Sequence, residues 1–188
     1  MILYPTETLY ALGVNALDPR ELQKLYALKE RDASKPASWL VRNMKDVAKY
    51  AEVSSVAAEI AKQFLPGKLT LILRAKINLP DEVMSKDRTI GFRISSDEKA
   101  QQLIAEFMEQ YDAPLTCTSA NVSGLATLGT VGEILQQFGA QAKSIDTVID
   151  DGPRKGLAST IVRVIGEEVT ILREGDISEA DILKTLHE

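Results

Sequence analysis

Helix-start signals recur along this chain, and strand-like segments lie between them. Asp18-Pro19-Arg20-Glu21 places an N-cap residue, a first-turn proline and a glutamate at the third helical position in order. The helix that starts at Thr130 is expected to end at Gly139. Further starts are predicted at Asn43, at Ser55, just after Ser96 and at Ser178. A chain with this alternation is expected to build a sheet with helices packed against it.

The strand candidates are short runs rich in aliphatic and β-branched residues. They span residues 69–74, 90–94, 115–118, 147–150, 160–164 and 169–173. Another strand is expected to begin at the N-terminus and to turn at Gly13. Helices and strands interleave early and strands cluster late, so we expect an α/β or α+β fold with an open, twisted mixed sheet flanked by helices. Without a repeat or a linker-like boundary, residues 1–188 are predicted to form one domain.

The scarcity of cysteine and histidine restricts the available chemistry. Cys117 is the only cysteine, and His187 is the only histidine and lies next to the C-terminus. An intrachain disulfide, a Cys or His zinc site and Ser-His-Asp or Cys-His catalysis are therefore not expected. Carboxylates, Lys, Arg, hydroxyls and backbone amides remain, with a hard cation held mostly by substrate phosphates rather than by predicted protein ligands.

Charge and hydropathy limit the partners that the chain can have. The formal net charge of −5 argues against a surface coated with basic residues for nucleic acid, although it is compatible with a local basic cleft. No segment approaches the roughly 20 uninterrupted apolar residues of a membrane span. The N-terminus lacks the basic start and apolar core of a signal peptide. We therefore expect no membrane association and a cytoplasmic location.

Several segments present polar groups without bulk. Alternation on its strand places Arg93 on the same face as Gly91, which leaves room for close approach to the sheet, although a solvent-facing arginine is the simpler interpretation. Lys29 and Arg31 follow the first helix, where they either cap it or, in an extended segment, project to one side and clamp a polyphosphate. Residues 117–124, CTSANVSG, offer hydroxyls, a carboxamide and backbone amides to a ligand. None of these segments is a Walker A or Gly-x-Gly-x-x-Gly motif.

Taken in chain order, seven motifs closely resemble those of the YrdC-type threonylcarbamoyl-AMP synthases, the family that includes bacterial TsaC. They are PTETLYALG, KLYALKERDASKP, LPGKLTLIL, IGFRIS, TSANVSG, LASTIV and LREGDI, and they run from Tyr4 to about Ile177. The resemblance implies a YrdC-like sheet with a large concave basic cavity. It implies a nucleotidyltransferase that condenses L-threonine, bicarbonate and ATP into threonylcarbamoyl-AMP and pyrophosphate, with Mg²⁺.

The same resemblance implies partners in tRNA modification. A separate complex transfers the threonylcarbamoyl group to an adenosine of tRNA, and binding of tRNA or double-stranded RNA is a further expectation. Two alternatives stay open: a non-catalytic RNA-binding paralogue that uses the same cavity, and a domain that handles carbamoyl-adenylate.

The resemblance also assigns the nucleotide site. Lys29 and Arg31 match the Lys-x-Arg pair that contacts the ATP phosphates, and Ser119 and Asn121 match the Ser-x-Asn at the nucleotide and the intermediate. These four residues are the predicted catalytic set. Arg173 matches a later nucleotide contact.

The predicted threonine site draws on other motifs. Arg93 matches an arginine near the threonine carboxylate, and Thr6 and Thr8 match the PTxT segment that lines the threonine pocket. Ser159 matches a later substrate contact.

This chain departs from the family pattern in places. The usual Lys-Gly-Arg-Pro reads KERD at residues 29–32, the histidine that follows Lys35-Pro36 in many members is absent, and only three residues precede Tyr4.

Overall fold

The computed structural model describes residues 1–76, 79–80 and 83–186, and within them a sheet of nine strands carries the helices. The sole histidine, His187, lies outside the described residues. The elements in chain order are β1 (Ile2–Tyr4), β2 (Ala11–Gly13), α1 (Pro19–Lys29), β3 (Ser38–Leu40), α2 (Met44–Tyr50), α3 (Ser55–Phe64), β4 (Leu69–Arg74), β5 (Thr89–Arg93), α4 (Glu98–Tyr111), β6 (Leu115–Ser119), α5 (Val131–Phe138), a 3₁₀ helix (Gly139–Ser144), β7 (Thr147–Val148), β8 (Thr160–Ile165), β9 (Glu168–Arg173) and α6 (Glu179–Thr185).

The sheet is open and mixed, as the sequence predicts. Its strand order is β7-β1-β2-β6-β3-β5-β4-β8-β9. The pairs β7–β1, β3–β5 and β4–β8 are parallel, and the other neighbouring pairs are antiparallel. This order brings β6, from the middle of the chain, between β2 and β3, so segments far apart in sequence meet at the centre of the sheet.

The two faces of the sheet have different coverings. Alternate residues of the central strands, among them Trp39, Leu71 and Phe92, point into the larger hydrophobic cluster on one face. On the other face, α4 packs Ala100, Ile104 and Met108 against a smaller cluster that includes Tyr4, Leu40 and Leu115. Since α4 covers only part of this second face, the rest is free to carry the polar side chains of a site.

Most predicted helix starts are confirmed because cap signals are local. Asp18 accepts from the N–H of Arg20, and Asn43 accepts from the N–H groups of Lys45 and Asp46. Capping boxes form at Thr130 and at Ser178, and Gly139 caps α5 as expected. Each of these side chains satisfies an N–H that the first turn of a helix leaves without a partner.

One predicted start shifts by one position. The cap of α3 is Ser54, whose hydroxyl accepts from the N–H of Ala57 at 3.2 Å, while Ser55 is the first helical residue. The two adjacent serines can both serve as caps, and the sequence alone does not choose between them. The helix predicted just after Ser96 is confirmed, with Asp97 as the cap of α4.

The N-terminal strand prediction is wrong. The chain forms two short strands, β1 and β2, that pair antiparallel with Ile2 opposite Gly13. Between them the Thr6 hydroxyl accepts from the N–H of Leu9 at 3.2 Å and donates to the oxygen of Leu9 at 2.6 Å, which reverses the chain. The hydrogen bonds of this turn override the strand propensity of threonine.

The remaining strands lie where the sequence predicts, with small changes in length. Strand β7 covers residues 147–148 instead of 147–150, and β3 is a strand that the sequence analysis does not predict. Within the described ranges, no helix has both the length and the apolar character needed to cross a bilayer.

Candidate functional site

A polar cavity of about 200 Å³ opens on the same side of the sheet as α4. We name it the inner lobe; it is lined by Thr6, residues 8–11, Arg31, Ser38, Thr70, Arg93, residues 117–119, Thr127, Ala158, Ser159, Ile161 and Arg173. A second depression, the outer lobe, is lined by Lys29, Glu30, Arg31, Asp32, Lys35, Ser119, Asn121, Ser123 and Gly124. Arg31 and Ser119 line both lobes, so the two lobes adjoin, and we call them together the cleft.

All nine site residues predicted from the sequence line this cleft. Lys29 and Asn121 face the outer lobe, and Arg31 and Ser119 stand at the junction. The other five, Thr6, Thr8, Arg93, Ser159 and Arg173, line the inner lobe. The fold thus brings together side chains that are distributed from position 6 to position 173.

The β1–β2 loop (residues 5–10) forms one wall of the inner lobe. Thr6 and Thr8 are buried, and their hydroxyl oxygens lie 3.0 Å apart within hydrogen-bond distance. Thr6 also accepts from the N–H of Thr8 at 3.2 Å. The loop is therefore fixed by its own hydrogen bonds and presents its hydroxyls from a defined position.

Arg93 lies at the end of β5 with only 5% of its surface exposed, so the solvent-facing interpretation is wrong. Its Nη2 is bound to Oε1 of Glu7, and the Ser95 hydroxyl donates to the other oxygen of the same carboxylate. The Nε of Arg93 is buried and has no hydrogen-bond partner among the described residues. The space beside Gly91 is filled by protein, because a Cβ there would lie 2.8 Å from Oγ of Ser38.

Arg173 closes the inner lobe from β9, the edge strand. Its guanidinium donates to the main-chain oxygen of Ser159 from Nε at 3.0 Å and from Nη2 at 2.8 Å. The Ser159 hydroxyl in turn lies 2.8 Å from that of Thr70. Burial lowers the pKa of Arg173, and the positive charge of Arg93 lowers it further. The guanidinium groups of Arg93 and Arg173 therefore share this lobe, which Arg31 also lines, at an electrostatic cost that an anion would relieve.

Lys29, the last residue of α1, has 1% of its surface exposed. Its ammonium donates to the main-chain oxygens of Ser119 and of Asn121, the latter at 2.7 Å, and lies 3.5 Å from the side-chain oxygen of Asn121. Burial, reinforced by the nearby Arg31, lowers the pKa of Lys29 to about 7. The lysine thus ties α1 to the segment after β6.

Arg31 does not extend in parallel with Lys29. Glu30 between them adopts a left-handed conformation (φ 50°) that ends α1 and changes the direction of the chain. The guanidinium of Arg31 then donates to the main-chain oxygens of Lys35 at 2.7 Å and Pro36 at 3.2 Å. The sequence-based hypothesis of an extended backbone that projects Lys29 and Arg31 to one side is therefore wrong. Both residues nevertheless line the outer lobe.

The segment after β6 is organised by its own polar groups. Ser119 donates to the carboxamide oxygen of Asn121 at 2.6 Å, while the carboxamide nitrogen donates to the oxygens of Val122 and Leu125 at 3.0 and 2.9 Å. These bonds, with those that the N–H groups of residues 120–123 make within the protein, fix a loop of small residues at the edge of the cleft. Cys117 lines the inner lobe, but burial raises the pKa of its thiol, so it is a poor nucleophile at neutral pH.

Sequence reasoning misses Glu7, Ser95, Thr70 and Ser38. Glu7 stands between two predicted site residues, so its position in the PTET motif was an available signal. The other three are small hydroxyl residues on or beside strands, and no local pattern distinguishes them from ordinary sheet residues. The basic character of the cavity stays a prediction, because the acidic Glu7, Glu30 and Asp32 lie around it.

Magnesium is implied by the family resemblance. In the described part of the chain, no three Asp, Glu, Cys or His side chains cluster as they would to hold a metal ion. Glu30 and Asp32 are the carboxylates that line the outer lobe. This donor set fits an ion that arrives with substrate phosphates better than one held by the protein alone.

Comparison with known proteins identifies relatives of this chain. The Sua5_yciO_yrdC family model, described as "Telomere recombination", matches residues 1–175. A Methanocaldococcus jannaschii relative is 38% identical over 178 residues, which cover 94% of this chain and 80% of that protein. The Pyrococcus abyssi threonylcarbamoyl-AMP synthase is 30% identical over 190 residues, covering 100% of this chain and 54% of that protein. The chain thus spans about half the length of the P. abyssi relative.

Solved structures agree with the sequence matches. The crystal structure of P. abyssi Sua5 complexed with L-threonine superposes with a TM-score of 0.87 at 28% identity, over 98% of this chain and 53% of that one. Escherichia coli YciO superposes with a TM-score of 0.80 at 26% identity, over 93% of this chain and 82% of that one.

Proposed function

This chain belongs to the Sua5/YciO/YrdC family, and we propose that it synthesises L-threonylcarbamoyl-AMP from L-threonine, bicarbonate and ATP with release of pyrophosphate. One observation carries the proposal: two polar lobes share Arg31 and Ser119 as their common wall. The reaction needs a nucleotide and an amino acid end to end, with their reacting groups at one junction.

The chemistry suits a cleft without a protein nucleophile. The amino group of threonine and bicarbonate first give a carbamate with loss of water, and a carbamate oxygen then attacks the α-phosphorus of ATP as pyrophosphate leaves. One phosphoanhydride is replaced by another mixed anhydride, so alignment and charge neutralisation are the main requirements. The arginines and hydroxyls that line the cleft supply both.

In this proposal the outer lobe and the junction hold the nucleotide. Arg31 and Lys29 provide positive charge towards the phosphates, and Ser119 and Asn121 line the same lobe with a hydroxyl and a carboxamide. Because the Lys29 ammonium is engaged with the oxygens of residues 119 and 121, it also acts by fixing that segment. Magnesium enters as part of the ATP complex and neutralises phosphate charge.

The inner lobe holds threonine. Arg93 carries the positive charge for the substrate carboxylate, and Thr6 and Thr8 line the pocket on one side. Ser159 and Arg173, which are hydrogen-bonded to each other, also line this lobe, and in this proposal Arg173 contacts the nucleotide as well. The P. abyssi Sua5 structure, which is complexed with L-threonine, supports the choice of amino acid.

The product would serve tRNA modification. We propose that a separate transfer complex passes the threonylcarbamoyl group to an adenosine of tRNA in the cytoplasm. Contact with tRNA or double-stranded RNA belongs to the same proposal.

Pyrophosphate release tests the function directly. The protein is incubated with bicarbonate and magnesium ATP, with and without L-threonine, and pyrophosphate is measured together with the adenylate product by mass spectrometry. We expect release that requires threonine. Release without threonine, or with carbamoyl phosphate in place of threonine and bicarbonate, would contradict the proposal, and salt-sensitive RNA binding without turnover would favour a non-catalytic role.

A further inference from the structure

Glu7 forms an ion pair with Arg93 from outside the lining of the inner lobe. Its neighbours Thr6 and Thr8 both line the inner lobe, whereas Glu7 is not among the lining residues. Its carboxylate is instead bound on one oxygen by Arg93 and on the other by Ser95. The β1–β2 loop therefore alternates between ligand-facing hydroxyls and a carboxylate that faces the protein.

The ion pair is well shielded from water. The side chains of Arg93 and Glu7 are 6% and 10% exposed, respectively. A buried ion pair holds its geometry far better than an exposed one, since water cannot replace either partner, and loss of one partner leaves the other charge uncompensated. The ion pair with Glu7 therefore fixes the orientation of the Arg93 guanidinium, which is otherwise carried on a flexible side chain.

Arg93 has donor capacity that the protein does not use. Glu7 occupies Nη2, while Nε is buried and has no hydrogen-bond partner among the described residues. A buried donor without an acceptor costs free energy that a bound carboxylate can recover. The described residues that line the inner lobe include Arg31, Arg93 and Arg173 and no acidic residue, so a carboxylate that enters meets no repulsion from the wall itself.

We propose that Glu7 is the positioning residue of the amino-acid site: it fixes the guanidinium of Arg93 so that its free donors recognise the substrate carboxylate. This inference rests on the proposed function and adds a residue that acts through Arg93 without touching the substrate. It predicts that loss of the Glu7 charge weakens threonine binding selectively, since the ATP phosphates lie in the other lobe.

Calorimetry with L-threonine and L-threoninamide, which lacks the carboxylate, tests the inference without requiring turnover. The wild-type protein should bind threonine and should bind the amide at least tenfold more weakly. Glu7→Gln keeps the shape of the side chain and removes its charge. This variant should bind threonine about tenfold more weakly, and the ratio of its affinities for threonine and threoninamide should be smaller than in the wild type. Glu59→Gln on the exposed face of α3 is the matched control and should leave both affinities unchanged.

Steady-state assays distinguish a positioning role for Glu7 from a merely structural one. If Glu7 positions Arg93, Glu7→Gln should raise the KM for threonine while the KM for ATP stays within about twofold of the wild-type value. A merely structural role would change both KM values. In the double variant of Glu7→Gln with Arg93→Lys, the loss of threonine affinity should be smaller than the product of the two single losses, because both residues act through one guanidinium. The inference would be overturned if Glu7→Gln raised both KM values equally. It would also be overturned if the losses of threonine affinity in the two single variants multiplied in the double variant.

A second variant covers the case in which Glu7→Gln fails to fold. Ser95→Ala keeps the ion pair and frees one carboxylate oxygen, and it should weaken threonine binding two- to threefold with ATP binding unaffected; unchanged threonine binding would overturn the inference. The two hypotheses fail differently. A wild-type protein that neither binds threonine nor releases pyrophosphate defeats the proposed function, whereas threonine binding that is insensitive to residue 7 defeats only the role of Glu7.

Discussion

The ammonium of Lys29 donates a 2.7 Å hydrogen bond to the main-chain oxygen of Asn121, although 92 positions separate the two residues in the chain. A second bond reaches the main-chain oxygen of Ser119. The buried cation therefore joins the end of α1 to the loop after β6. The geometry of the outer lobe depends on this connection as much as on the side chains that line the lobe.

Replacing Lys29 with methionine should loosen this connection. The substitution keeps the length of the side chain but removes the ammonium donor from the main-chain oxygen of Asn121, while that of Ser119 keeps the N–H of Asn121 as its donor. The lost bonds should cost roughly 1–3 kcal/mol in the free energy of unfolding. Pyrophosphate release should fall at least about tenfold, which corresponds to about 1.4 kcal/mol in the transition state. Urea unfolding and the pyrophosphate assay measure the two effects.

Lys24 provides the matched control for this prediction. It lies on the same helix, its side chain is 68% exposed, and it pairs with Glu21 at the surface. Lys24→Met should leave activity unchanged and should alter stability by less than about 0.5 kcal/mol. Equal behaviour of the two variants would show that the buried contacts of Lys29 contribute nothing.

The same lysine should make stability depend on pH. Its pKa is about 7 in the folded protein because of burial, against about 10.4 for a free lysine. Between these values the unfolded chain binds one more proton, so this residue makes the free energy of unfolding rise with pH. The stability difference between wild type and Lys29→Met should therefore grow from pH 7 to pH 9 in urea titrations. A difference that stays constant or shrinks would contradict the assignment.

The sequence predicts elements that depend on local signals and misses those that depend on distant partners. The cap at Asp18 and the capping box at Thr130 are confirmed because donor and acceptor are within three residues of each other. Strand β3 is missed since three residues, Ser38–Leu40, carry little pattern of their own and are held by pairing with β5 and β6.

The site shows the same limit. Alternation on β5 favours a solvent-facing Arg93, and only the sheet order decides that the side chain is buried. The resemblance to a family supplies the nine lining residues in advance, but it says nothing about Glu7, whose partner is 86 positions away. Likewise, the motif indicates that Lys29 matters without revealing that its ammonium is bound to main-chain oxygens.

Glu30 occupies a position that glycine would fill at lower cost. It ends α1 with φ 50° and ψ 39°, a left-handed conformation in which a Cβ is unfavourable. Glu30→Gly should raise the free energy of unfolding by about 0.5–1 kcal/mol, as measured in urea. Because Glu30 lines the outer lobe, loss of its carboxylate should also lower the KM for ATP a few-fold.

Asp112 separates the two effects of that substitution. It caps α4 with φ 48° and ψ 37° and is not among the residues that line the cleft. Asp112→Gly should give a similar gain in stability while the KM for ATP stays the same. If both variants were less stable than the wild type, the side chains of Glu30 and Asp112 would contribute more to the free energy of unfolding than their left-handed backbone conformation costs.

Gly156 fixes the β1–β2 loop from outside by close contact of the two backbones. A Cβ at this position would lie 2.6 Å from the main-chain oxygen of Thr8 and 3.0 Å from its Cα, and backbone atoms cannot move aside as a flexible side chain can. Gly156→Ala should therefore displace Thr8, lower the free energy of unfolding by roughly 1–3 kcal/mol and raise the KM for threonine more than that for ATP.

Gly132→Ala is the control for this prediction, since a Cβ there meets no atom within 4 Å. Because alanine favours the helical conformation of α5, this variant should raise the free energy of unfolding by about 0.5–1 kcal/mol. If Gly156→Ala kept full stability and wild-type threonine affinity, the two backbones would have to separate at no cost, and the position of the β1–β2 loop would not determine threonine binding.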